Sequence, residues 1–280
     1  MQAVSAQNGF VRRAKAAARD FCPKPLLLWR EARYFEKYGE RELHLVRHLC
    51  QRERDAVDVG AHEGSYVHFM KRHARRVYAF EPVPSLAEAL AWKFAPRVVV
   101  RNIALSRESG MAILRIPLID GAPLTGLASL NDGAGATTAI TEIAVQTRPL
   151  DEVFAGDAGF IKIDVEGHEE AVLDGAARTI SRCRPRLLIE IEEGRMPGAP
   201  ARIHAFLRRF NYRGYFVRGR TLAAFETFDP ATMQRPEDIV GFRAGVPRKS
   251  LDRYCNNFLF IADEEAEPLS ARIAAALRRI

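Results

Sequence analysis

Three short stretches carry residue types whose spacing suits chemistry. The first is Val57-Asp58-Val59-Gly60-Ala61-His62-Glu63-Gly64-Ser65-Tyr66, where an apolar run gives way to a helical pattern. Open α/β sheets bind ligands at the carboxyl ends of their strands, and glycines there let a backbone approach a ligand closely. A dinucleotide site requires Gly-x-Gly-x-x-Gly to seat a pyrophosphate on a helix N-terminus. Here Gly60 and Gly64 bracket a bulky His62, which disfavours that approach. Asp58 brings negative charge to the mouth, suiting a cationic sulfonium or amino-acid group better than phosphate. Tight chain packing is the competing reading of the turn.

The second stretch is Tyr78-Ala79-Phe80-Glu81-Pro82. An acidic residue about 20 positions after a glycine turn is placed to hold both ribose hydroxyls, because a carboxylate accepts two hydrogen bonds. The third is Phe160-Ile161-Lys162-Ile163-Asp164-Val165-Glu166-Gly167-His168-Glu169. On a strand, Lys162, Asp164 and Glu166 share one face, and charges in a central parallel strand are paired or functional. For Lys162 a buried carboxylate pair is the preferred reading; for Asp164 and His168, a place in the site.

The elements that must position these residues alternate. Ala56–Val59, Val77–Phe80 and Val98–Ile103 read as buried strands, with helices over Gly64–His73 and from Ser85, whose spacing to Glu88 is a capping box. Phe160–Val165 and Leu187–Glu192 continue the strands, and a helix spans about 169–182. This is a doubly wound α/β pattern with a mostly parallel sheet. The chain divides into a helical extension over 1–50 interrupted by Pro23 and Pro25, a core over 51–195, and a part over 196–280 that completes the sheet. Residues 110–150 break the rhythm: Met111–Ile116 and Ile143–Thr147 look like strands around a loop, Gly121–Thr138, that forms a β insertion or mobile flap. Tyr212–Val217 and Asn257–Ala262 are later strands, and Leu269, Ile273, Leu277 and Ile280 share a helical face.

Charge is uneven. The chain carries a net +7, and residues 1–54 hold 12 Lys/Arg against 6 Asp/Glu, so nearly all of the excess lies there. A uniformly basic nucleic-acid groove is not indicated. Arg12, Arg13, Lys15 and Arg19 break any secretory signal, and point either to a solvated cap or to an arm for an anionic membrane or a partner. The longest apolar run there, Leu26–Trp29, falls far short of the roughly 20 residues of a membrane span. Cys22, Cys50, Cys183 and Cys255 are scattered and read as reduced thiols of a cytoplasmic protein.

The glycine turn, Phe80-Glu81-Pro82, Asn102-Ile103-Ala104-Leu105-Ser106, Gly126-Leu127-Ala128-Ser129-Leu130, Pro149-Leu150-Asp151, the run Ile161–Glu169 and Leu188-Ile189-Glu190, in this order, resemble the FkbM family of class I methyltransferases. Asp-Val-Glu-Gly-His-Glu is the most family-specific element, and the match covers about Asp55 to Glu193. The resemblance implies a seven-stranded sheet with an antiparallel last strand, S-adenosyl-L-methionine as methyl donor, and O-methylation of a sugar, glycolipid or natural-product hydroxyl. Carried over by position, Asp58, Gly60, Ala61, His62 and Gly64 shape the methionine pocket, Glu81 and Pro82 the ribose end, and Asn102 and Ala104 the adenine end. His62-Glu63 departs from the Asn and small or apolar residue frequent in the family.

An alcohol is a poor nucleophile at neutral pH, so a base helps to remove its proton. His168 is expected to be that base, with Asp164 orienting it or the acceptor and Glu166 beside them. No compact metal-ligand cluster appears. Phe206, Phe210, Tyr212, Tyr215, Phe216, Phe225 and Phe228 put seven aromatics in 23 residues, where the 9% average gives about two; they line an acceptor site or form core. A nicotinamide-dependent oxidoreductase and a non-catalytic glycan- or membrane-surface binding protein are the rival readings. A nucleic-acid methyltransferase is a third, disfavoured because Val-Glu-Gly follows Asp164 in place of Pro-Pro-aromatic.

Overall fold

The computed structural model describes residues 23–119, 122–130, 139–238 and 254–279. The basic residues before Pro23, Cys22 and half of the Gly121–Thr138 loop lie outside the described residues. The strands are β1 (Asp55–Val59), β2 (Val77–Phe80), β3 (Val98–Arg101), β4 (Ala104–Leu105), β5 (Gly110–Ile119), β6 (Ala122–Pro123), β7 (Ile140–Arg148), β8 (Ala158–Ile163), β9 (Arg186–Glu190), β10 (Tyr212–Arg218), β11 (Thr221–Ala224) and β12 (Asn257–Ala262). The helices are α1 (Lys24–Tyr38), α2 (Val46–Leu49), α3 (Ser65–Met70), α4 (Pro84–Phe94), α5 (Leu150–Val153), α6 (Glu169–Asp174), α7 (Ala177–Cys183), α8 (Ala199–Arg208), α9 (Pro230–Met233) and α10 (Asp263–Leu277).

The main sheet runs β11-β10-β12-β9-β8-β1-β2-β3. β3, β2, β1, β8 and β9 are parallel, and β12 is antiparallel to both β9 and β10. Beyond the seven expected strands, β11 adds an eighth by an antiparallel hairpin on β10. Every residue of β1 and β8 is buried, as central strands covered on both faces must be. From β1 the chain winds outward through β2 and β3, then returns to β8 on the other side of β1. That reversal is the switch point where such sheets open a crevice. Asp58 pairs in register with Lys162, and Val59 with Ile163, so both strands end at the same level.

The expected insertion is a sheet of its own, ordered β4-β7-β5-β6. Pro23 and Pro25 stand at the start of α1, where the first turn needs no amide donor. Two readings of helix ends are corrected. α4 begins at Pro84 behind Val83, and no side chain caps it; proline at the start displaces Ser85 from the capping position. The single helix expected over 169–182 is two, α6 and α7. They meet near Gly175, where an added Cβ would lie 2.0 Å from the Ser106 carbonyl oxygen. Among the described residues no helix is long and apolar enough to cross a membrane.

The aromatic cluster supplies core. Tyr212 and Phe216 are fully buried, and Phe258 of β12 gathers Phe216, Phe225 and Phe228 with ring centroids 6.3, 5.4 and 4.8 Å away. Phe206 packs against Phe210, the rings tilted with centroids 5.2 Å apart. Truncating Phe216 to alanine leaves a void that close-packed neighbours fill only in part. Phe216→Ala should lower the unfolding free energy by about 3–5 kcal/mol, read from urea denaturation; a change below about 1 kcal/mol would refute a core role.

Candidate active site

A cavity of about 590 Å³ opens at the carboxyl ends of β1, β2, β8 and β9, within the usual range for small-molecule sites. Its floor comes from the turn after β1 and from the loop after β8. The end of α1 and the segment behind it close one side through Tyr34, Phe35, Tyr38 and Glu40. The second sheet closes another through Leu114, Thr125 and Gly126. None of the seven clustered aromatics of 206–228 is among its lining residues.

The glycines of the first turn serve chain packing. Gly60 has φ +76°, and a Cβ there would sit 1.8 Å from the Asp164 carbonyl oxygen. Only glycine lets the exits of β1 and β8 touch. Gly64 has φ +88°, its Cβ position lies 2.7 Å from the Phe94 ring, and it does not line the cavity. Ala61 and His62 do line it.

His62 is left-handed, with φ 45°. Its backbone N–H donates to Glu81 Oε2 at 2.8 Å, and its Nε2 lies 3.0 Å from Thr125 Oγ1. The turn is thereby pinned to β2 below and to the second sheet above. Glu81 Oε1 accepts the Val83 N–H at 2.9 Å, so Glu81 also braces the entry to α4, a role assigned beforehand to Ser85. Burial raises its pKa. Each carboxylate oxygen has a further lone pair, and Glu81 and Pro82 both line the cavity. Ala104 lines it too, but Asn102 does not. The Asn102 Nδ2 donates to the carbonyls of Glu81 and Pro82, 2.9 Å each. It holds the end of β2 from outside the cavity.

The deep end is anionic. Asp58 is 2% exposed, and its Oδ2 has no hydrogen-bond partner among the described residues. Burial pushes its pKa up to about 7. Lys162, equally buried, reaches Asp164 at 3.3 Å and Glu190 at 4.0 Å, with its ammonium 5.0 Å from the Tyr66 ring centre. Burial alone would lower the lysine's pKa, but the carboxylates of Asp164, Glu190, Glu40 and Asp58 outweigh it and raise it. The pair expected of Lys162 exists, and Lys162 also lines the cavity. Glu40 accepts the Tyr66 hydroxyl at 2.7 Å, and Glu190 accepts Asn256 Nδ2 at 2.6 Å.

β8 ends at Ile163, so the expected alternation stops before Glu166, whose φ is 54°. Glu166 pairs with Arg195 at 2.8 Å, and its carbonyl accepts the Ser129 hydroxyl at 2.7 Å. Burial, then the Asp164 charge, pushes its pKa up to about 8. Glu169 folds back to accept the Gly167 N–H at 3.0 Å. His168 precedes α6 with its Nε2 2.9 Å from Ser106 Oγ; burial and the Arg107 charge lower its pKa. Asp164, Glu166 and His168 all face the same cavity. The sequence reading missed Glu40 and Thr125 as lining residues, and gave Tyr66 and Glu190, though within its motifs, no place in the ligand pocket. Glu190 had a signal, an acid closing the apolar strand Leu187–Glu190, whereas Glu40 had none. Among the described residues no group of three His, Cys, Asp or Glu has metal-holding geometry.

A family profile described as "Methyltransferase FkbM domain" matches residues 58–214, more than half of the chain. The chain belongs to this family. Among solved structures the fold is similar to a methyltransferase FkbM from Methylobacillus flagellatus KT, 18% identical with a TM-score of 0.47, covering 81% of this chain and 49% of that one. The present chain thus spans about half the length of that relative. An rRNA methylase from Streptococcus thermophilus is 10% identical over 79% of this chain and 93% of its own, with a TM-score of 0.43. An O-methyltransferase from Bacillus cereus, solved with SAH, is 12% identical over 78% and 77%, at 0.41. No curated protein matches.

The raised Asp58 pKa has a consequence for stability. An unfolded aspartate titrates near 3.9, so between about pH 4 and pH 7 the folded protein keeps a proton that the unfolded chain has lost. The resulting stabilisation is complete below about pH 4 and disappears as pH rises through about 7. Asp58→Asn removes the titration while keeping the shape. Urea unfolding at pH 6 and pH 8 should show the variant gaining stability relative to wild type at the higher pH; parallel profiles would mean that the carboxyl is not raised.

Proposed function

We propose that the protein is an S-adenosylmethionine-dependent O-methyltransferase acting on a hydroxyl of a sugar, glycolipid or natural product. One observation carries this reading: seven carboxyl groups line the cavity against a single lysine among the described residues, and Asp58 Oδ2 is buried there without a partner. A site with that excess suits a ligand bearing positive charge next to a nucleoside, and burial strengthens the attraction. Asp58 and the Gly60–His62 turn hold the amino-acid end. Glu81 takes the ribose diol, and Pro82 and Ala104 border the base. When bound, S-adenosylmethionine supplies an electrophilic methyl on a cationic sulfur.

What remains for the chain is to orient an acceptor hydroxyl and remove its proton; ideal positioning alone contributes about 7–11 kcal/mol. His168 is the base in this reading. Its lowered pKa keeps the ring neutral near pH 7 and ready to accept a proton. With Nε2–H donated to Ser106 Oγ, the lone pair lies on Nδ1. Asp164, tethered by Lys162, orients the acceptor. Glu166, drawn away by Arg195, forms wall rather than base.

Calorimetry with S-adenosylmethionine and its demethylated product tests the cofactor assignment. Glu81→Gln should weaken both by about 10–100-fold, equivalent to about 1.4–2.8 kcal/mol, and absence of binding to the wild-type protein would overturn the reading. His168→Ala should leave cofactor affinity within about twofold and slow methyl transfer by about 10²–10⁴-fold. Undiminished turnover in that variant removes His168 from the chemistry.

A further inference from the structure

The outer face of α1 has no role in the cavity. Leu26, Arg30, Arg33 and Lys37 follow one another at helical spacings of four, three and four, and Trp29 stands beside them. All five are exposed, Trp29 to 59% and Leu26 to 48%. The chain has two tryptophans, and the second, Trp92 on α4, is 53% exposed. Tryptophan is usually among the better-buried residues, so leaving both in solvent needs a reason.

Trp92 lies beside the first turn of α1. Lys24 at the start of α1 lies 5.5 Å from the Trp92 ring centre. Glu31, on the inner side of α1, is tied to Lys93 of α4 and His68 of α3 at 3.1 and 3.2 Å. The rim beside Trp92 is basic. Lys71 lies over the Phe94 ring at 4.8 Å, and burial together with the charges of Arg72, Arg97 and Lys24 lowers its pKa, so these cations crowd one place. Lys71, Arg75, Arg76 and Arg97 line a shallow cleft of about 360 Å³, in which Arg75 is paired with Asp55 at 2.9 Å. The carboxylates on the face are few. Glu36 is neutralised by Arg33 at 3.1 Å, and Glu88 stands one turn before Trp92.

Exposed tryptophan and leucine amid lysine and arginine is the chemistry of a bilayer surface: indole rings settle at headgroup depth, and each cation near an anionic leaflet adds attraction. We infer that the outer stripe of α1, in which Leu26 and Trp29 stand among Arg30, Arg33 and Lys37, docks on an anionic phospholipid bilayer. RNA would use the cations but leave Leu26 and Trp29 in water, so the apolar residues favour the membrane. The same helix lines the cavity through Phe35 and Tyr38, so docking sets the cavity wall about one helix diameter, roughly 10 Å, from the lipid. Docking is independent of the methyl-transfer reading.

The full chain would be floated with vesicles of phosphatidylcholine alone, or containing 30% phosphatidylglycerol. Binding to the anionic vesicles only, weakened by salt and accompanied by a blue shift of tryptophan emission, is the expected result. Arg30→Glu/Arg33→Glu and, separately, Leu26→Ala/Trp29→Ala should each reduce partitioning at least about tenfold. Met111→Ala, 70% exposed on β5, should leave it unchanged. Circular dichroism melts would confirm that the variants fold. Equal binding to neutral vesicles, binding insensitive to both double variants but lost on removing residues 1–22, or binding to poly(U) that depends on the arginines with no vesicle binding would each overturn the inference.

Discussion

The closeness of two strand ends is the constraint on which the site depends. The Asp164 N–H donates to the Val59 carbonyl at 3.0 Å, and the space beside it is filled by the Asp164 carbonyl, with room for no atom beyond Cα at Gly60. Because β1 and β8 flank the switch point, this contact brings the two loops of the crevice to one depth. A side chain at Gly60 would separate them, and the carboxyl group of Asp58 would lose its registration with Lys162. The glycine is therefore explained by the protein's own backbone before any ligand is considered.

Burial makes that junction electrostatically demanding. Carboxyl groups removed from water favour the protonated form, which is why Asp58, Glu166 and Glu169 all rise to about 7 or 8. Lys162 offsets part of this at the price of its own desolvation. Its geometry, with Asp164 and Glu190 on one side and an aromatic face on the other, keeps it charged. Breaking such a buried pair by removing one member leaves an uncompensated charge, so Lys162 is as much a structural counter-ion as a cavity residue. The raised carboxyls stand ready to ionise when a cation enters.

Two segments remote in sequence complete the enclosure. α1 reaches the cavity because Glu31 is fastened to His68 and Lys93, and Glu40 follows by receiving the Tyr66 hydroxyl. The second sheet reaches it because Thr125 meets His62 and Ser129 meets the Glu166 carbonyl. The second sheet thereby engages the two left-handed floor residues His62 and Glu166, whereas α1 is fastened to the helices behind the turn. The loops that carry the site residues are braced from outside rather than held by their own strands.

The alternation of apolar strands and amphipathic helices determined the doubly wound sheet, since period and burial are local properties of consecutive residues. For the same reason Asp58, Glu81 and Asp164 could be placed at strand ends from their position after runs of Val, Phe and Ile. Which turn residues face the cavity was not local. Gly64 and Asn102 sit among the expected site residues in sequence but point at α4 and at the β2 carbonyls, because their neighbours in space come from residues 20 to 30 positions away. Likewise the aromatics of 206–228 read as readily as an acceptor surface, and only the closure of β12 against β10 turned them inward. The inclusion of Glu40, Tyr66 and Thr125 was decided wholly by tertiary structure, because a polar side chain acquires a role in a site only when distant backbone carries it there.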